Sequence, residues 1–485
     1  MTLSLRDEPG RVGCGLAELA ARVRHDLDCL DYPTQSWVRS RAHPSGLHVW
    51  DVVIVGGGQG GLAVAFGLIR EKVSNILVID ENREGFEGPW ATYARMVTLR
   101  TPKHLVGPDL GIPSLTFRAW WEAQHGLDAW GALDKILKED WMSYLRWLRA
   151  VLELPVRNEV HLDLVEPANE GVFRLAVSGA AAPEQGVILA RKVVLATGIQ
   201  GGGEWHVPEF VAKALPDHLY GHTSQAIDYD ALKGKSIGIL GAGASAFDNA
   251  QYALRSGVRE AHVFFRKTEL PRINPIRFME NAGFMRHFAD MNDEERYRGV
   301  GFFLDHSQPP TNDTYNRASA YPGFRLHAAE PWEEVMALDD GVRVMTARGS
   351  YDFSFLVIST GLLTDAALRP ELRPLVDDIA RWKDRYRPIG KSHPLVDEHP
   401  YLGPNFEFLP RGPEAAERLH GLFAFNYSAL ASLGLSASSL SGMKFAVPRL
   451  VAGITRQLFL DDRVEILGDF LAYRTEEFVG TWPAN

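Results

Sequence analysis

The sequence predicts an α/β chain built from two Rossmann-like units, and three observations carry that prediction. Two glycine-rich turns, at residues 56–61 and 241–246, each follow a run rich in Val, Ile and Leu and each lead into a helix-like stretch. A second apolar strand follows each of these stretches at the spacing of a βαβ unit. Two further apolar strands, at residues 192–198 and 355–361, both end in Thr-Gly and bracket the second turn.

At roughly 150 residues per unit, 485 residues suggest about three compact units. Hydrophobic residues make up 46% and charged residues 23%, which is ordinary for a globular chain. The net charge of −10 comes without a basic block, which argues against a nucleic-acid partner. The two cysteines, Cys14 and Cys29, exclude a disulfide scaffold, a Cys-rich zinc site and a Cys-x-x-Cys redox pair. Charged residues interrupt the first thirty positions, and no stretch approaches 18 apolar residues. The expectation is a cytoplasmic chain with no metal, no membrane span and no secretory signal.

Residues 1–47 read as an N-terminal extension. Leu16, Leu19, Val23, Leu27 and Leu30 recur at three- and four-residue spacing. This predicts one amphipathic helix that ends before Pro33 and packs on the main body.

The first unit opens with a strand at residues 51–55, then Gly56-Gly-Gly-Gln-Gly-Gly61, then an apolar helix over residues 62–69. Gly56, Gly58 and Gly61 fit G-x-G-x-x-G in its required context. Gly56 permits the turn, Gly58 lets the backbone approach a pyrophosphate, and Gly61 lets helix and strand pack closely. Gln59 and Gly60 complete the cradle, and the phosphates would rest on the helix N-terminus, where free N–H groups and the dipole favour anions. The next strand ends at Asp80, 24 residues after Gly56, where a ribose-binding carboxylate belongs.

The pattern recurs from residue 235. An apolar strand leads into Gly241-Ala-Gly-Ala-Ser-Ala246, in which Gly241, Gly243 and Ser245 shape the turn and Ala246 stands at the third glycine position. The strand at residues 261–265 ends in Arg266-Lys267 instead of an acid. Such a pair suits a 2′-phosphate. Two charge-assisted contacts, discounted for exposure, amount to ~2–4 kcal/mol, a roughly 30- to 1,000-fold preference for NADPH over NADH. The acid-ended site suits FAD and the basic-ended site NADPH.

The strand ending at Gly198 and the strand at 355–361 therefore read as crossovers. They predict an FAD domain at 48–199 and 356–485, split around an NADPH domain at 200–355, with an insertion at about 274–330 that either caps the cleft or runs over the surface. The aromatics Trp120, Trp121, Trp130, Trp141 and Trp147 sit at helical spacing and read as packed core rather than a substrate box.

Taken together, the chain resembles the flavin-containing monooxygenase superfamily, the class B flavoprotein monooxygenases. The resemblance spans nearly all of residues 48–485. It rests on the first glycine turn, Gly88-Pro-Trp90, Leu99-Arg-Thr-Pro-Lys103, Ala196-Thr-Gly198, His222-Thr-Ser224, and the second glycine turn with Asp248. The resemblance implies a glutathione-reductase-like FAD domain with an inserted NADPH domain. It also implies a cycle in which NADPH reduces FAD, O2 gives a flavin C4a-(hydro)peroxide, and one oxygen passes to a small organic substrate. Within that scheme Trp90 packs by the flavin and His222 contacts the NADPH linkage. Arg100 is the candidate fixed cation, stabilising developing negative charge or holding a carboxylate substrate.

N- or S-hydroxylation is the leading expectation. Baeyer–Villiger oxygenation of a ketone is an alternative, weakened because Ala226-Ile227 stands where that branch carries Trp-Pro. A second alternative is an FAD-dependent NAD(P)H reductase serving a protein partner. A homo-oligomer is left open.

Overall fold

The computed structural model describes residues 13–31, 35–105, 107–306, 308–437 and 439–482. Residues 1–12 of the extension and Pro33 lie outside them. The extension forms the helix Leu16–Cys29, with Leu19 and Val23 buried against the segment around Phe117–His125.

The larger sheet grows around the first glycine turn. Val156–Arg157, Ile76–Ile79, Val49–Val55 and Val187–Gly198 lie side by side in parallel, and Leu422–Asn426 also pairs in parallel with the long strand Val187–Gly198. Phe173–Ser178 and His161–Pro167 extend the sheet antiparallel. The central strands are apolar without alternation because both faces are covered; Val52, Val53, Ile54, Val193 and Val194 are all buried. The helix Gln59–Arg70 lies between this sheet and the helix Met443–Asp461, and Gly67 allows Val451 and Val447 to come close.

The second sheet has five parallel strands, ordered Phe324–Ala328, Glu260–Phe265, Ser236–Leu240, Phe355–Ile358 and Tyr220–His222. Phe355–Ile358 thus belongs to this sheet, and the chain leaves it only beyond Ile358, whereas the sequence suggested a return at 356. An apolar strand reads the same in either sheet, and only its pairing assigns it. Gly203–Trp205 and Leu362–Thr364 form a two-stranded antiparallel ladder where the outgoing and returning segments meet. We propose that ladder as the division between the two units.

The insertion folds as helices Pro275–Met279, Ala282–His287, Asp293–Asp305 and Asn312–Ser319. It packs into the body, since Phe288, Tyr297 and Val300 share an apolar cluster with Trp382, Val396 and Leu430. Because Asn274, Arg277 and Phe303 line the cleft described below, we propose that it serves as a cap. The tryptophan group is packed core, as its spacing suggested. Phe117 makes ring contacts with Trp120, Trp121, Trp130 and Trp141, and none of these lines the cleft described next.

Candidate active site

Both glycine turns open into one cleft of about 1380 Å³. Pockets for a single small ligand run to roughly 300–1,000 Å³, so the space suits more than one. The cleft lies outside the carboxyl ends of the parallel strands, the usual ligand position in open α/β sheets.

At the first turn the glycines are required by geometry. Gly56 has φ +106°, and a Cβ there would lie 2.5 Å from the Ala196 carbonyl oxygen. A Cβ on Gly61 would run into the Gly56 carbonyl oxygen. Gly58, by contrast, has its nearest neighbour 3.8 Å away, at Gly88. That leaves a backbone cradle open at the helix N-terminus, which a methyl group would begin to fill. Gln59 and Gly60 also line the cleft, and the Gln59 side chain is fixed by the Trp141 indole N–H at 3.1 Å.

Asp80 stands at the strand end but is also structural. Its carboxylate accepts from the Gly57 N–H at 2.7 Å and from the Asn82 N–H at 2.8 Å. Burial pushes its pKa up while these hydrogen bonds oppose the rise. Beside it, Glu81 also lines the cleft and bonds His161 at 2.8 Å.

At the second turn, a Cβ on Gly241 would meet the Ser359 carbonyl oxygen, while Gly243 is open. Ser245 and Ala246 lie in the first turn of the helix Ala244–Arg255; Ser245 lines the cleft and Ala246 is buried. Arg266 and Lys267 are both exposed and line the same cleft at the end of the neighbouring strand. The structure therefore brings the cationic pair to the mouth of the second cradle. One feature here was not legible: the Gln308 carbonyl accepts from the Ala244 N–H at 2.9 Å, so the cap reaches the second turn.

Between the cradles lie Trp90, Gly198, Arg100 and His222. Gly198 adopts φ +68° at the end of its strand. The Trp90 carbonyl is held by Lys138 Nζ at 3.1 Å. Arg100 forms an ion pair with Asp248 of the second helix and reaches Gln308 Oε1 at 3.4 Å. Thr314 of the cap donates to Asp248 at 3.3 Å. Arg100 therefore joins the first unit to the second and to the cap, and its charge is matched by Asp248.

His222 is buried and stacks on Trp205 with ring centroids 4.9 Å apart. Burial holds its imidazole down to about 4, so the ring is neutral at physiological pH. Its Nδ1 accepts from the Ser224 N–H at 3.2 Å, so the ring proton sits on Nε2, which makes no close hydrogen bond among the described residues although the Gly361 backbone acts on the ring. A buried polar atom on a cleft wall without a partner is a position where a bound group would complete the bonding. Sequence reasoning missed Trp205, which belongs to no motif. Tyr427 lines the cleft, and burial pushes its phenol up to about 12.

The residues present fit a dinucleotide in each cradle. The open backbone at Gly58 and Gly243, the acid at the end of one strand and the cations at the end of the other each match one part of FAD or NADPH.

Comparison with known proteins agrees. A family model described as FAD-NAD(P)-binding matches residues 53–200, and one described as L-lysine 6-monooxygenase/L-ornithine 5-monooxygenase matches residues 128–305. An FAD-dependent urate hydroxylase of Xanthomonas campestris pv. campestris is 56% identical over 470 residues, covering 96% of this chain and 98% of its own. Among solved structures, ornithine hydroxylase from Pseudomonas aeruginosa aligns with a TM-score of 0.68 at 17% identity, over 84% of this chain and 100% of that one. An ornithine N-hydroxylase from Kutzneria sp. 744, solved with reduced FAD, NADP+ and L-ornithine, aligns with a TM-score of 0.65 at 16% identity, over 84% of this chain and 99% of that one. At these identities the structural likeness establishes the fold.

Proposed function

Because the chain belongs to the family of the FAD-dependent urate hydroxylase, a family of flavin-dependent monooxygenases, we propose that it hydroxylates urate. One oxygen atom of O2 would enter the purine and the other would leave as water, with two electrons supplied by NADPH. The carrying observation is the single cleft that holds both glycine cradles and continues into the cap. Bound FAD would supply electron transfer from the nicotinamide and activation of O2.

The chain's own residues then bind, orient and shield. The first turn and Asp80 hold one dinucleotide, and Arg266 and Lys267 hold the 2′-phosphate of the other. Neutral His222 offers Nε2 as a hydrogen-bonding group on the wall between them. Arg100, fixed by Asp248, acts in this reading as a positioning residue that keeps the two cradles and the cap in register. Arg277 donates to the Arg100 carbonyl at 2.7 Å and to Glu280 at 2.8 Å. Both line the cleft beside Asn274, an array of donors and acceptors suited to the alternating N–H and C=O edge of an anionic purine. Leu435, Leu440 and Phe303 supply apolar wall that keeps water from the reacting centre.

Urate presents an electron-rich C4=C5 double bond, so oxygen would add to carbon rather than to a free amine. N-hydroxylation of a small amine is the second reading, favoured by the lysine/ornithine family match over residues 128–305. FAD-loaded protein mixed with NADPH and urate in air is expected to consume urate and NADPH in equal amounts. Unchanged urate with NADPH converted to hydrogen peroxide would contradict the proposal, and hydroxylated lysine or ornithine in a parallel assay would establish the second reading.

A further inference from the structure

We propose that the C-terminal helix and the arm that follows it form the contact between two copies of this chain. The helix Arg463–Ala472 has no buried residue, although it carries five large apolar side chains among ten positions. Isolated helices of this length are marginal in water, so something must hold it.

Its polar face does so on one side. Asp462, Glu465 and Asp469 fall at three- and four-residue spacing and meet the body through arginines. Arg41 pairs with Asp462 and Glu465, and Arg39 pairs with Asp469 and donates to the Glu465 carbonyl at 3.3 Å. The helix is thus tied to the body along its charged face, most firmly at the buried Asp462 that precedes it. Val464, Leu467 and Leu471 fall on the opposite face, continued by Leu460 near the end of the preceding helix Met443–Asp461, and Val464 and Leu471 are 72% and 63% exposed. A surface helix ordinarily does the reverse, and an ordered apolar stripe turned to solvent marks an interaction surface. The arm beyond it adds Phe478 and Trp482, which stack at 5.9 Å and are both exposed.

Area points to a second copy as the occupant. Stripe and arm together present on the order of 900 Å² of apolar surface per copy, at about 150 Å² for each exposed aromatic and less for each aliphatic residue. A standard interface needs about 800 Å² per partner. A two-fold axis through the stripe lays each helix on its mate, so one patch serves as both halves. Residues 461–482 carry six acidic and two basic side chains, which disfavours an anionic lipid surface. None of the stripe residues lines the cleft, so the contact is separable from catalysis.

Light scattering on size-fractionated FAD-loaded protein tests this. The parent is expected to run as a multiple of the 53.9 kDa chain. L467E and L471E should each halve the particle mass while flavin content and NADPH oxidation persist. W482A, which places no charge on the helix, should weaken the association on dilution. A parent that is monomeric, or L467E and L471E proteins that keep the parent mass, would overturn the proposal. Monomeric parent bound by phosphatidylserine vesicles would overturn it in favour of a lipid surface.

Discussion

Gly61→Ala protein is expected to purify colourless and to lose stability, whereas Gly58→Ala protein should be colourless but as stable as the flavin-free parent. The difference is steric. A Cβ on Gly61 runs into the Gly56 carbonyl oxygen, and Gly56 cannot retreat, because its φ of +106° is fixed against Ala196 on the other side. Helix and strand must part inside the largest core, a strain of about 1–3 kcal/mol by the usual cost of overpacking. A Cβ on Gly58 meets nothing closer than 3.8 Å in the protein, so its only effect is to occupy the space a pyrophosphate needs. Gly131→Ala is the control, since its Cβ would meet nothing within 4 Å and Gly131 lies outside the cleft. Flavin content by absorbance, with thermal melts of the stripped proteins, separates the three. A yellow Gly58→Ala protein would contradict the assignment of this cradle.

The double variant Arg266→Ala/Lys267→Ala is expected to raise the KM for NADPH roughly 30- to 1,000-fold and leave the KM for NADH within about threefold. Both side chains line the cleft just beyond the end of the strand Glu260–Phe265, where the ribose of a nucleotide in the second cradle would lie. The loss should shrink at high salt, because exposed charge pairs are screened beyond about 10 Å at 0.1 M ionic strength. Equal losses for the two nucleotides would mean that the pair supports the strand end and not a 2′-phosphate.

The two cradles were legible in the sequence because each is local. Strand, glycines and helix follow one another without a break, and the glycine positions are dictated by backbone contacts within one or two turns of chain. The opposite charges at Asp80 and Arg266-Lys267 were legible for the same reason. What lay hidden depends on pairing across long separations. Phe355–Ile358 reads as a return to the first sheet until its register with Ser236–Leu240 is seen. Arg100 reads as a free cation until Asp248, 148 residues on, is found against it. Gln308 reaches the Ala244 N–H only because the cap folds back over the second turn. The inverted C-terminal helix is the reverse case, since its pattern looks like that of any packed amphipathic helix until Arg39 and Arg41 show which face is docked.

The most direct test of a shared cleft is anaerobic mixing of NADPH with FAD-loaded protein. Rapid bleaching of the yellow colour, followed on admission of O2 and urate by return of the colour with one urate hydroxylated per flavin, is the predicted result. Protein that cannot be loaded with FAD, or that stays yellow in excess NADPH, would contradict the account.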